Sequence, residues 1–157
     1  MFIIELPIVE LFIAGERWYC IQMDFAEILK PGLAGYKTEI VTEKNTALAL
    51  GSGGLAVFAT PAMVALFEAA ALSAVDHSLP PGWSTVGTEV NIRHISATPR
   101  GMNASARAEL ISIDGRMLSF KVEAFDDAGK IGEGTHVRFI VENEKFLAKA
   151  ECKKAAE

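Results

Sequence analysis

The segment from Thr60 to Val75, TPAMVALFEAAALSAV, constrains the fold most, because its only ionisable side chain is Glu68. A helix that is apolar around nearly its whole circumference must be covered on most sides. Thr60 before Pro61 is a helix-start signal, a threonine N-cap with proline at the first helical position. Met63 stands where a capping box would want Glu or Gln, so the cap is half built. The helix is expected to reach about His77 and to stop before LPPG, a rod of roughly 25 Å at about 1.5 Å per residue. Val64, Ala65, Ala71 and Leu72 lie three or four positions from Glu68 and surround it on its own face. A carboxylate buried without partners is costly. Glu68 therefore faces a polar cavity or is held for chemistry.

The rest of the chain supplies a cover with period two. Tyr36, Thr38 and Ile40 alternate with Lys37, Glu39 and Val41 in a first strand. GSGG at 51–54 is a flexible connection, and LAVFA leads into the helix. Beyond the helix, strict alternation puts Val86, Thr88, Val90, Ile92 and His94 on one face. Gly87, Glu89, Asn91 and Arg93 fall on the other. TPRG at 98–101 turns the chain into a strand whose apolar side is Met102, Ala104, Ala106, Ala108 and Leu110. Asp114-Gly115 is a hairpin turn. Leu118, Phe120, Val122 and Ala124 line the next strand, DDAGK turns again, and 131–141 makes the last. The expected fold class is α+β: an antiparallel sheet of about five strands wrapped around one long central helix. At 157 residues a single domain suffices, here placed over 23–150, with an N-terminal extension at 1–22 and a C-terminal tail at 151–157.

That extension begins MFIIELPIVELFIA, which is too short for a membrane span and lacks the basic region of a signal peptide. A docking strand or helix is one reading; another is that Met23 is the biological start. Half the residues are hydrophobic and 22% are charged, which excludes a disordered chain. A net charge of −5 argues against a nucleic-acid partner, since neutralising phosphates needs clustered Lys and Arg. Cys20 and Cys152 are far apart and form neither a metal-ligand spacing nor a disulfide framework, which suits a reducing cytoplasm. With three scattered histidines, no metal or redox cofactor is expected.

Four stretches, FATPAMVALFEAAA, STVGTEVNIRHISATPRGM, DGRMLSFKVEAFDDAGKIGEGTHVRF and KFLAKA, resemble the hotdog-fold thioesterases related to fluoroacetyl-CoA thioesterase. The likeness spans about residues 28–150 in order and spacing. It implies a hotdog fold, an acyl-CoA substrate and a homodimer with two sites at its interface. The family's threonine before the central helix, glutamate within it and histidine on the next strand match Thr60, Glu68 and His94 as the catalytic set. A strand glycine whose N–H faces the thioester oxygen matches Gly87, and a last-strand arginine near the pocket matches Arg138. The fluoroacetate-resistance members carry an aromatic lid before the helix. Here GSGG occupies that place, with no aromatic residue until Phe58. A short- or medium-chain acyl group is therefore expected rather than specialised gating.

Residue by residue, plainer readings stand beside these. Thr60 is accounted for as an N-cap, and His94, on an apolar strand face, as a satisfied core histidine. Gly87 is accounted for as a bulge glycine, Arg138 as one member of a solvated face with His136, and His77 as a helix-terminus residue. Thioester hydrolysis needs a base or nucleophile and a donor for the growing oxyanion, roles that Glu68 and the Gly87 N–H fit, with His94 holding water or protonating the thiolate. Eight positions separate Thr60 from Glu68, about 12 Å of helix rise, so the two cannot hydrogen-bond within one helix. A site using both takes one from a partner subunit, or Thr60 acts on another part of the ligand. A non-catalytic acyl-CoA binding module and a hotdog enoyl-CoA hydratase are the alternative functions, since this fold hosts several chemistries.

Overall fold

The computed structural model describes the secondary structure of residues 8–13, 16–21 and 23–156, and the side chains of residues 23–154. In the N-terminal segment, β1 (Ile8–Ile13) pairs antiparallel with β2 (Glu16–Ile21) in a two-stranded hairpin. The expected extension over 1–22 lies partly outside the described residues. A one-turn helix α1 (Phe25–Ile28), capped by Asp24 accepting from the Ala26 N–H at 2.9 Å, leads into β3 (Ala34–Ile40). After the central helix α2 (Thr60–Val75) come β4 (Trp83–His94), β5 (Asn103–Asp114), β6 (Met117–Asp126) and β7 (Gly129–Glu142). A last helix α3 (Asn143–Glu151) runs into a 3-10 turn at Cys152–Ala156, where a tail was expected.

The five long strands form one antiparallel sheet in the order β3-β5-β6-β7-β4, wrapped around α2 as the pattern predicts. Ala104, Ala106, Ala108 and Leu110 of β5 and Leu118, Phe120, Val122 and Ala124 of β6 are buried, as the alternation requires. They meet Met63, Leu66, Phe67, Ala70, Ala71 and Val75 of α2 in one core. The hairpin at Asp114-Gly115 forms with Gly115 at φ 56°, the left-handed conformation that a Gly accepts without a Cβ penalty. Turning the inner face of β3 toward the helix puts Gly35 against α2 and leaves Tyr36 and Ile40 exposed on the outer face.

The structure corrects two local expectations. Ala59, not Thr60, is the N-cap: its carbonyl accepts the first helical bond, from the Met63 N–H at 2.9 Å, and no side chain caps the helix. Thr60 is the first helical residue, and its hydroxyl is free for another partner. The strict alternation of β4 also fails, because a β-bulge shifts the register between Gly87 and Glu89. Gly87 pairs with Arg138 and Glu89 with Val137, so Thr88 is the extra residue. A bulge moves the side chains on one side of it to the opposite face, so Thr85 and Gly87 share the inner face with Val90, Ile92 and His94. Val86 and Thr88 do not.

A Cβ at Gly35 would run into the Ala70 carbonyl oxygen and the Ala74 nitrogen, backbone atoms that cannot step aside. Gly35→Ala is therefore expected to destabilise the fold by about 2 kcal/mol or more, in the range of overpacked cores. Urea unfolding of the two proteins measures this; equal midpoints would contradict the close packing of β3 on α2.

Candidate active site

Thr60 projects from the first turn of α2 toward the end of β4. Its Oγ1 lies 3.0 Å from His94 Nδ1, a hydrogen bond across 34 residues of sequence. Buried Phe58 stands edge-on to the imidazole, ring centroids 6.4 Å apart. His94 Nε2 is buried and has no hydrogen-bond partner among the described residues. Burial holds the imidazole below the ordinary histidine value of 6.5, against a raising contribution from the Ser96 backbone. The pair lines a cavity of about 340 Å³, walled by the loop before the helix (Ala47, Ser52, Val57) and by Ile95 beyond β4. A neutral imidazole bonded to a hydroxyl and keeping one uncommitted nitrogen can hold water or pass a proton.

Glu68 lies two turns further along α2 and is half-buried. Its carboxylate is packed against Gly87, so closely that a Cβ there would overlap Oε1. This close approach, made possible by the glycine and the bulge, gives the strand glycine a purpose beyond breaking the ladder. Arg138 and His136 stand behind it on β7, both buried. The Arg138 Nε donates to Thr85 Oγ1 at 2.8 Å, and its Nη2 to the Thr85 carbonyl at 2.7 Å. Burial lowers the Arg138 pKa from its ordinary value while the nearby Glu68 charge opposes that effect. For His136 burial is again the main lowering cause.

The sequence-derived set is thus brought together as two groups, Thr60 with His94 and Glu68 with Gly87 and Arg138, at separate levels of one helix. Arg138 does not lie on a solvated face. Val137 and Phe139 take the outer side of β7, Phe139 exposed there, and the inner face borders the Glu68 carboxylate. The polar residues therefore face in. His136 and Thr85 were missed as site members. Their signal was spacing: Thr85 lies two residues before Gly87 and His136 two before Arg138, so each shares a strand face with a residue already singled out. Among the described residues no group of His, Cys, Asp or Glu is placed to hold a metal ion, and no helix is long and apolar enough to cross a membrane.

Buried His136 and half-buried His94 make a stability prediction with a definite sign. Their folded pKa values lie below 6.5, so on acidification the unfolded chain takes up protons first. Their contribution to stability is complete above about pH 6.5 and is lost as pH falls through the folded values, before most carboxylates protonate near pH 4. Thermal unfolding from pH 7.5 to pH 5 should show a declining midpoint. A flat profile would contradict neutral burial of both rings.

A profile of the fluoroacetyl-CoA-specific thioesterase family, FlK, matches residues 41–144. The fluoroacetyl-CoA thioesterase of Streptantibioticus cattleyicolor is 44% identical over 100 residues, which are 64% of this chain and 72% of that protein. Among solved structures, fluoroacetyl-CoA thioesterase FlK superposes with a TM-score of 0.75 at 36% identity, over 80% of this chain and 97% of that one. A phenylalanine-to-alanine mutant of FlK in complex with fluoroacetate and CoA gives a TM-score of 0.71 at 35% identity, over 75% and 99%. The matched span runs from the end of β3 to the start of α3 and holds both groups of polar residues on a hotdog scaffold. With its fold and two thirds of its length matched, the chain belongs to the fluoroacetyl-CoA-specific thioesterase family of thioester hydrolases.

Proposed function

We propose that this protein hydrolyses a short- or medium-chain acyl-CoA thioester to the free acid and CoA, with Glu68 as general base or nucleophile. The observation that carries the reading is the 3.0 Å Thr60–His94 hydrogen bond on the wall of an open cavity, in a chain of this family. The FlK relative was solved with fluoroacetate and CoA, which supports an acyl-CoA as the ligand class. The loop at 51–54 offers only glycines and a serine where the family places aromatic residues, so the acyl pocket is read as permissive rather than specific for fluoroacetyl. No metal or organic cofactor enters the proposed reaction, and the reducing cytoplasm is its proposed setting.

In the proposed reaction Glu68 takes a proton from water, and the hydroxide adds to the thioester carbonyl carbon. The Gly87 N–H meets the oxyanion, a contact typically worth about 3 kcal/mol. Collapse breaks the C–S bond, and the departing thiolate takes a proton delivered through His94. In the nucleophilic variant the carboxylate attacks first, and water then opens the resulting anhydride.

The distance between the two groups argues for a homodimer with shared sites. Thr60, Val64, Glu68 and Leu72 follow one another at four-residue spacing, and none of them is fully buried in the single chain. β4 is an edge strand of 12 residues whose inward Val90 and Ile92 are incompletely covered. Edges of this length are usually paired or protected. A second copy along β4 would cover the stripe and bring its Thr60–His94 pair to this chain's Glu68.

A thiol-release assay over a panel of acyl-CoAs, with enoyl-CoA absorbance followed in parallel, separates the functions. Thiol release supports hydrolysis, enoyl loss without thiol supports a hydratase, and tight binding with neither supports a binding module. Glu68→Gln is expected to keep the fold and to lose about two orders of magnitude in turnover; wild-type hydrolysis in that variant would overturn its assignment. Mixing Glu68→Gln with Thr60→Ala subunits should restore activity, because one site of each mixed dimer is then intact. Failure of exchanged dimers to recover would place both residues in the same chain's site. Deleting residues 1–22 should leave turnover largely unchanged, and an inactive but folded product would give that segment a part in the site.

A further inference from the structure

His136 is fully buried on the inner face of β7, opposite Val90. A guanidinium has donors and no lone pair to give, so the 3.2 Å contact between Arg138 Nη1 and His136 Nε2 makes Nε2 the acceptor. The ring proton therefore sits on Nδ1 and is donated to the Glu89 carbonyl at 2.8 Å. Both nitrogens are committed, and the neighbours alone fix the tautomer. Burial and the Arg138 charge favour the neutral ring, opposed by the Glu89 hydrogen bond and the Glu68 charge.

Both partners belong to the Glu68 end of the site. Glu89 is the residue at which the ladder resumes after the bulge, so its carbonyl reports where that bulge sits. The ring itself stands against Gly87: a Cβ there would lie 3.1 Å from His136 Cε1. On its other side it holds one arm of Arg138, whose Nε and Nη2 are anchored on Thr85. One imidazole thus ties the strand segment that faces the carboxylate to the cation whose charge the carboxylate feels.

We propose that His136 is a positioning residue for Glu68: by donating to the Glu89 carbonyl and accepting from Arg138, it holds the Gly87 bulge and the guanidinium in the arrangement that the Glu68 carboxylate needs. This rests on the reading of Glu68 as the reacting carboxylate. His136 itself touches no reacting atom in this scheme and acts only through its neighbours.

The test is a double-mutant cycle read as kcat and KM with the most active acyl-CoA of the panel. His136→Leu removes both hydrogen bonds at similar volume, and its fold is checked by circular dichroism. The kcat is expected to fall about ten- to a hundredfold, as for loss of a hydrogen bond to a charged group, with KM within about twofold. His136→Gln keeps an acceptor for Arg138 and loses the donor to Glu89, so it should recover part of that loss. In the Glu68→Gln background, assayed at high enzyme concentration, His136→Leu should cost nothing further, because a residue acting through Glu68 is coupled to it. A purely structural histidine would give the same loss in both backgrounds, and that result overturns the proposal, as does wild-type kcat in folded His136→Leu. Should His136→Leu fail to fold, His136→Gln decides: reduced kcat at unchanged KM supports the proposal and wild-type kcat overturns it. Full activity of Glu68→Gln alone would instead overturn the underlying reading of Glu68.

Discussion

Burial of α2 organises the molecule. A helix with almost no polar surface cannot rest on a flat sheet, because one flat face would leave its other sides in water. The sheet must curl, and its inner residues must be small enough to let the helix in. The run of Ala104, Ala106, Ala108 and Ala124, with Gly35 opposite the α2 backbone, makes that close approach possible. Larger residues such as Phe67 and Phe120 then fill the remaining space. The side of α2 that the sheet leaves open carries Thr60, Val64, Glu68 and Leu72, so the candidate site lies along the seam where this wrapping stops.

A single inserted residue in β4 decides what meets Glu68. Without the bulge at Thr88, Gly87 would face outward and Val86 would put its side chain against the carboxylate. With it, glycine backbone and a buried arginine–histidine pair surround the acid. A half-buried carboxylate in an apolar helix is costly unless charge or dipoles answer it. Arg138 supplies the charge, held on Thr85 by two hydrogen bonds so that it cannot swing out to solvent.

Thr60 illustrates how one residue's local and distant options compete. Serine and threonine near a helix start commonly cap it, but here Ala59 occupies the cap position and the threonine hydroxyl is spent on His94. The missing cap leaves the first turn without side-chain support. It also directs a hydroxyl–imidazole pair into the cavity, with the ring steadied by Phe58.

Much of this was legible in the amino-acid order. Start and stop signals around an unbroken apolar run located α2, alternation located the faces of β5 and β6, and Asp114-Gly115 located the hairpin, because burial and turn geometry act over a few neighbouring residues. The isolation of Glu68 singled it out as the candidate carboxylate, and family resemblance supplied its candidate companions Thr60, His94, Gly87 and Arg138. Only the tertiary structure decided which of them meet. The bulge in β4 depends on register with β7, and the inward turn of His136 and Arg138 depends on a carboxylate that lies on another element. The partner of the Thr60 hydroxyl is a histidine 34 residues away. Sequence patterns carry the physics of neighbours along the chain; these contacts are made between elements that only the packed sheet and helix bring together.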